Sequence, residues 1–297
     1  MRPLRWLFAL SLSILVSSSA IAENKRLLLV TDSGGFIHDS VGLSEQILKE
    51  IGPKNGIDVT CFRYTRDVKD KAFEKYAEQF RKTTGVKVEP ENCGRVNAET
   101  LKKFDCVLFF TTGNPLANDE VEDLVEWVKA GGSVAGTHCG SDTLYPAKDR
   151  PWNEAYGKLI GAYFKTHPPG FQKIKIKVED AKHPAGTAFE NGAPFEDEMY
   201  IFRDEPYSRE KLHIILSITG DTVDNLLEKA KKSGRSDNDY AISWCQEIDK
   251  GRSFYTSLGH RKETWKDERF QKHLIGGLKW AMKQAEGDAT PSAKIGK

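Results

Sequence analysis

The chain reads as an α/β protein, a three-layer sandwich around a mostly parallel central sheet. Three observations predict this. Short, continuous apolar runs such as Leu27-Leu28-Leu29-Val30 and Cys106-Val107-Leu108-Phe109-Phe110 have the pattern of strands buried on both faces. Segments with apolar residues at helical spacing lie between them. The order strand, helix, strand, helix through the first half is that of a parallel sheet covered by helices on both sides.

Taken in order, the first strand spans 25–31, and a polar loop with two glycines (31–40) leads into a helix over 41–51. A second strand covers 57–62. Residues 65–97 are charged and weakly patterned and read as an insertion, with a helix over 73–80. The third strand, 106–110, ends in Thr111-Thr112-Gly113-Asn114. The next helix is expected to be capped by Asn118, with Asp119 and Glu120 at its positive dipole end. Val121, Leu124, Val125 and Val128 form its stripe, and Gly131 closes it. Strand four is 133–137. Later strands are expected over 174–178, 212–218, 240–246 and 252–257. A last helix carries Phe270, Leu274, Leu278 and Ala281 on one face. A single domain over 23–286 is expected, with a frayed small-residue tail at 287–297.

The first 22 residues carry a different signal. Arg2 and Arg5 precede a short apolar run, and Ala20-Ile21-Ala22 follows it. This is the three-part pattern of a secretory signal cut after Ala22, and the run is short for a membrane anchor. An exported protein, periplasmic or secreted and with no membrane attachment after cleavage, is the expectation. With 44 basic and 43 acidic residues in 297, the net charge is +1, unlike a polybasic nucleic-acid binder. The five cysteines cannot all pair internally. Cys106 and Cys245 read as core residues. Cys61 and Cys93 flank the insertion, where a disulfide is conceivable in an oxidising compartment. No CxxC spacing suggests a zinc–thiolate site.

In open parallel sheets, ligands bind beyond the carboxyl ends of the strands. The residues expected there are polar: His38 and Asp39 after strand one, Asn114 after strand three, His138, Ser141 and Asp142 after strand four, and His260 after the strand ending near 257. Gly136-Thr137-His138-Cys139-Gly140 reads as a strand-to-helix elbow that displays its middle residue, as a nucleophile elbow does. That residue is His138. A Cys139 thiolate paired with His260 is the competing assignment. Asp39, Asn114, Ser141 and Asp142 are the hydrogen-bonding types that a hydroxyl-rich ligand requires, and His38 is read with them as a substrate contact. Ser141, Asp142 and Asp39 also suit helix caps. Trp244 suits either core or ligand stacking. Trp265, in a loop after His260, is favoured as a ligand contact. His183, His213 and His273 read as structural, packing or surface residues.

The sequence resembles the ThuA-like, or trehalose-utilisation, family. The resemblance rests on Gly35-Phe36-Ile37-His38-Asp39-Ser40, Thr111-Thr112-Gly113-Asn114, and Gly136-Thr137-His138 with Ser141-Asp142-Thr143. It continues through Gly161-Ala162-Tyr163-Phe164, His167-Pro168-Pro169, Glu179-Asp180 with His183-Pro184, Asp197-Glu198-Met199-Tyr200, Ala241-Ile242-Ser243-Trp244-Cys245, Leu258-Gly259-His260 and Gly277-Leu278-Lys279-Trp280-Ala281. It implies a class I glutamine amidotransferase-like (flavodoxin-like) fold and a place in carbohydrate catabolism, with a small carbohydrate as partner. Glutamine hydrolysis is not implied, because His138 stands where those enzymes carry cysteine, and His260 lacks their glutamate two residues on. What it implies instead is chemistry on disaccharides or 3-keto-glycosides. His138, His260 and Glu198 are then the candidate acid/base residues. His138, His167 and His260, with Glu198, have the ligand types of a divalent metal site. A non-catalytic carbohydrate-binding module using the same polar rim is the alternative reading.

Overall fold

The computed structural model describes residues 23–144, 153–219, 222, 234–235 and 237–295. The expected signal segment lies outside the described residues. The first half alternates as read: β1 (Lys25–Val30), α1 (Val41–Lys54), β2 (Ile57–Phe62), α2 (Phe73–Thr84), the short α3 (Ala98–Leu101), β3 (Cys106–Phe109), α4 (Asn118–Lys129) and β4 (Ser133–Thr137). The second half holds α5 (Glu154–Ile160), β5 (Phe164–Thr166), β6 (Gln172–Val178), β7 (Pro194–Asp197), β8 (Ile201–Phe202), β9 (His213–Ile218), β10 (Ala241–Ile248), β11 (Gly251–Thr256), α6 (Lys262–Lys266) and α7 (Glu268–Ala281).

Nine of these strands form one sheet in the order β2-β1-β3-β4-β11-β10-β9-β6-β7, while β5 and β8 pair separately. The five strands from β2 to β11 are mutually parallel. From β11 onward each neighbour is antiparallel to the last, so that only β10 and β6 run against the other strands. The sheet is therefore mostly parallel by direction.

The period of two along each strand divides the core into two layers. Leu27, Leu29, Cys106, Leu108 and Ala135 face Leu48 of α1 and Leu274 and Leu278 of α7. Leu28, Val30, Val107, Phe109 and Val134 face Val121, Leu124 and Val128 of α4 and Tyr156 and Leu159 of α5. Every residue of β3 and β4 is buried, which is why these strands read as unbroken apolar or small-residue runs.

Several local expectations are corrected. Asn118 is the first residue of α4 rather than its cap. Ala117 takes the cap position, and its backbone N–H donates to the Glu120 carboxylate at 2.8 Å. Cys61 and Cys93 are not bonded to each other: both are free thiols, Cys61 buried among core residues, and the Cys93 thiol is 3.3 Å from the Glu89 carbonyl. The segment after residue 286, read from sequence as a frayed tail, carries backbone hydrogen bonds up to Ile295. Its backbone is tied down where the Ser292 N–H donates to the Leu212 carbonyl and the Ala293 N–H to the Arg209 carbonyl, while Trp280 Nε1 donates to the Gly287 carbonyl. Small polar composition lowered apolar burial there without removing the backbone's hydrogen-bonding capacity.

Candidate functional site

Four histidines and one carboxylate meet beyond the carboxyl ends of β1, β4 and β11. The elbow after β4 turns sharply: His138 has φ of +43° and opens a 3₁₀ turn over His138–Ser141. The strained backbone is that of His138 itself. The flanking glycines serve close approach instead, because a Cβ on Gly140 would lie 2.7 Å from the Phe109 carbonyl oxygen and one on Gly136 2.8 Å from the Tyr255 ring. Tyr255, on β11, donates its hydroxyl to the His138 carbonyl at 2.6 Å and lies 2.8 Å from Ser141 Oγ. A tyrosine from the neighbouring strand thus holds the turn in place.

The His138 ring is fully buried. Its Nδ1 is 2.9 Å from the Ser257 carbonyl, which can only accept, so Nδ1 is protonated; in the neutral ring Nε2 presents its lone pair, and in the charged ring Nε2–H donates to Glu198. Nε2 faces His260 Nδ1 at 3.1 Å and Glu198 Oε2 at 3.4 Å, and His260 Nδ1 is also 3.1 Å from Glu198 Oε2. His167 Nδ1 approaches the other carboxylate oxygen, Oε1, at 3.2 Å and the Pro168 carbonyl at 2.8 Å. His38 closes the group edge-on, its ring centroid 4.9 Å from those of both His138 and His260. One ligand atom from each of His38, His138, Glu198 and His260 lies within 4.8 Å of the others. His167 is not part of this quartet, and His38, read from sequence as a substrate contact, takes the fourth corner.

The electrostatics follow from this geometry. Burial alone would raise the Glu198 carboxyl, but hydrogen bonds from His138 and His260 and their charges hold it well below the usual carboxylate range. Burial disfavours the charged form of His260, yet the hydrogen bond and charge of Glu198 outweigh it and raise its pKa. Burial lowers His38 well below its ordinary value, and the imidazoles of His138 and His260 add to the shift. Burial pushes Asp142 up to about 7, with Arg203 opposing and Glu198 adding.

The remaining sequence candidates divide. Asp142 is half-buried beside the group, and Asp39 is an exposed rim residue paired with Lys262 at 2.8 Å. Asn114 keeps a buried Oδ1 with no hydrogen-bond partner. Ser141 is fully buried against Tyr255 and serves the elbow. Trp265 does not present its ring to a ligand: it lies in α6, 1% exposed, stacked on Phe110, with Nε1 donating to the Gly259 carbonyl at 2.8 Å. Its ring supports the His260 loop from below. Trp244 is core, stacked on Tyr255 and donating to the Ile160 carbonyl. Cys139 is fully buried in the core, and burial raises its thiol well above the ordinary value. His183, His213 and His273 are buried packing residues away from this group.

Two supporting residues were not singled out from sequence. Asp197 accepts from the backbone N–H groups of Gly259 (2.8 Å) and Arg261 (3.2 Å), clamping the loop on both sides of His260. Its place beside Glu198 was the only available signal. Tyr255 was hidden in an ordinary strand pattern.

The donor set fits a divalent cation. Imidazole nitrogens and a carboxylate oxygen are the ligands of catalytic zinc and similar ions. The 3.1–3.4 Å separations among His138 Nε2, His260 Nδ1 and Glu198 Oε2 are close to the edge of about 3.4 Å expected for a tetrahedron with bonds near 2.1 Å. His38 Nδ1 is buried without a hydrogen-bond partner. The contact from His138 Nδ1 to a backbone carbonyl is the outer-shell bond that metal-binding histidines commonly make.

Comparison with solved structures finds this fold in a ThuA-like protein from Bacteroides uniformis. It is 17% identical, with a TM-score of 0.57 over 94% of this chain and 99% of that one. A ThuA-like protein from Parabacteroides merdae is 15% identical, with a TM-score of 0.58 over 90% of this chain and 92% of that one. No curated protein sequence matches the chain. The family ThuA, described as trehalose utilisation, matches residues 26–281. With that match over most of its length, the chain belongs to the ThuA family.

Proposed function

We infer that the protein is an enzyme of carbohydrate catabolism that cleaves a disaccharide-derived glycoside, with a 3-keto-glycoside as the substrate class. The observation that carries this is the convergence of His38, His138, Glu198 and His260, from four distant parts of the chain, into one buried quartet. A ketone at C3 of a sugar acidifies the C–H at C2. An imidazole takes that proton, the electrons form the enolate, and loss of the protonated C1 substituent breaks the glycosidic bond. Water adding to the resulting double bond completes hydrolysis.

Histidine suits this cycle because it gains and loses protons near neutral pH. His138 is held in the tautomer that accepts at Nε2. His260, raised by Glu198, returns a proton to the departing oxygen. Glu198 stays ionised, orients both rings and stabilises the charged form of His260. Were His38, His138, Glu198 and His260 to hold a divalent ion, it would supply Lewis-acid stabilisation of negative charge on the ketone oxygen. The buried Cys139 is unsuited to nucleophilic attack, which disfavours a thiol hydrolase.

The test is turnover of 3-keto-trehalose and related keto-disaccharides by wild type, His138→Ala and Glu198→Gln, with metal content measured in parallel. Glu198→Gln is expected to reduce turnover by at least about 100-fold and metal affinity by about 10- to 100-fold. Wild-type binding of these sugars with no turnover would favour the carbohydrate-binding module. No binding at all would remove the sugar reading.

A further inference from the structure

Two large apolar side chains flank the quartet in the open. Phe36 is 67% exposed and Phe171 48%. Phe36 meets His38 edge-on at 4.9 Å, and Phe171 meets His260 edge-on at 5.3 Å. With the 4.9 Å contact between His38 and His260, the order Phe36, His38, His260, Phe171 is an unbroken run of rings across the site. Exposing a phenylalanine costs hydrophobic stabilisation, so two beside one polar cluster call for a partner surface.

Both are held rather than left to swing on loose loops. The Phe36 carbonyl accepts from Thr112 Oγ1 at 2.8 Å, and the Gly34 N–H donates to the Thr112 carbonyl at 3.0 Å. Gly35 lies so close to this strand end that a Cβ would come within 3.1 Å of Thr112 Oγ1. On the other side, buried Gln172 directs its Nε2 to the carbonyls of Pro168, Pro169 and Gly170. Its Oε1 accepts from the Met199 N–H at 2.9 Å, next to Glu198. The Arg261 guanidinium lies 4.7 Å over the Phe171 ring and is anchored by Glu196. Each phenylalanine is thus preset before any ligand arrives, which lowers the ordering cost of binding.

We propose that Phe36 and Phe171 are the specificity-determining platform of this site, gripping the C–H face of a pyranosyl ring and aiming it at the histidine quartet. This rests on the glycoside reading above and narrows it. A pyranose has an apolar face of axial C–H groups and a hydroxyl rim. Aromatic rings receive the first, while Arg261 and Asp39 stand at the edge to bond the second. A small carboxylic acid or an amide would leave both rings uncovered.

The experiment uses the full chain loaded with zinc. Phe36→Ala, Phe171→Ala and Phe171→Trp are compared with wild type for KM and kcat on 3-keto-trehalose, affinity for trehalose by calorimetry, metal content, thermal midpoint and oligomeric state. Each alanine variant is expected to raise KM and weaken trehalose by about tenfold, with metal content and midpoint near wild type, and Phe171→Trp to keep near wild-type binding. Wild-type sugar affinity in both alanine variants would overturn the platform and leave the glycoside reading standing. A wild type that binds neither sugar would overturn that reading and the platform with it. A change of oligomeric state without a change in sugar affinity would overturn the proposal and make the pair an interface between copies of the chain.

Discussion

At His138 and Cys139, adjacent residues take opposite fates because the turn gives one of them the ligand side and the other the core. His138 pays for its place with a left-handed backbone, and it is held there by Tyr255 and Ser257. Cys139 sits among apolar side chains with its thiol pushed up by burial. Cys139→Ala is therefore expected to retain full turnover, to cost about 1 kcal/mol of stability by leaving a small void, and to leave the reaction of the folded protein with iodoacetamide unchanged. Equilibrium unfolding, an activity assay and a labelling time course check the three parts. Loss of turnover in this variant would return the thiol to consideration. At this scale the sequence was informative for His138 and His260, whose strand-end positions could be read directly. It was less so for His38, which joins the quartet, and His167, which does not, because which imidazole reaches the quartet depends on loop geometry that spacing does not encode. Trp265 misled because a loop and a short helix look alike in sequence, and only the helix buries the ring.

Among elements, the strand ends position the site and the close packing of the elbow makes it rigid. Gly140 lies against the last residue of β3, so Gly140→Ala forces a Cβ into the Phe109 carbonyl. The expected result is a loss of about 3 kcal/mol and a fall in activity, since relief of the clash must displace the turn that carries His138. Chemical denaturation together with the turnover assay tests this. A stable, active Gly140→Ala protein would show that the turn relaxes freely. Legibility at this scale followed burial. β2 and β4 were bounded in sequence as they stand in the structure, β4 because small and apolar residues fill it, and edge strand β2 because Ile57, Val59 and Cys61 alternate with Asp58 and Thr60 between clear turn signals. β7, with the sequence Pro-Phe-Glu-Asp, was not foreseen. It is a short edge strand rich in charge, the composition by which edges discourage further pairing and by which they also evade a hydrophobic pattern. Glu198, just beyond it, could be assigned only through family resemblance.

For the molecule as a whole, buried neutral histidines are one source of acid sensitivity. Burial lowers His273 to about 4, against a backbone hydrogen bond to Ala185 that raises it. Burial lowers His183 to about 3, with the nearby charge of His213 adding to the shift. The unfolded chain takes up protons at both as pH falls below about 6.5, while the folded chain resists until about 4 and about 3. Stability is then fully present above pH 6.5 and is lost progressively toward pH 3. Between pH 7 and pH 5 the raised Asp142 and His260 act in the opposite sense, so the histidine contribution is read as a difference: the thermal midpoint is expected to drop by roughly 3–6 °C less in His273→Gln than in wild type, even if that variant is weaker at pH 7. Calorimetry across that range measures it, and an equal drop in both proteins would assign acid sensitivity to other groups.

The place of β11 in the sheet has a consequence for how the protein is made. The last strand in chain order is inserted between β4 and β10, and Arg252 pairs with Ser133 across more than a hundred residues of chain. Until residues 251–256 leave the ribosome, β4 is an open edge and β10 has only β9 beside it. His260 emerges later still, followed by the helix that covers the Leu27–Ala135 face of the sheet. Closing such distant pairings is slow, because loop entropy must be lost before the contacts compensate for it. Synthesis thus runs past Thr256 before the sheet can close, and closure of the sheet and assembly of the histidine cluster fall in the same late step.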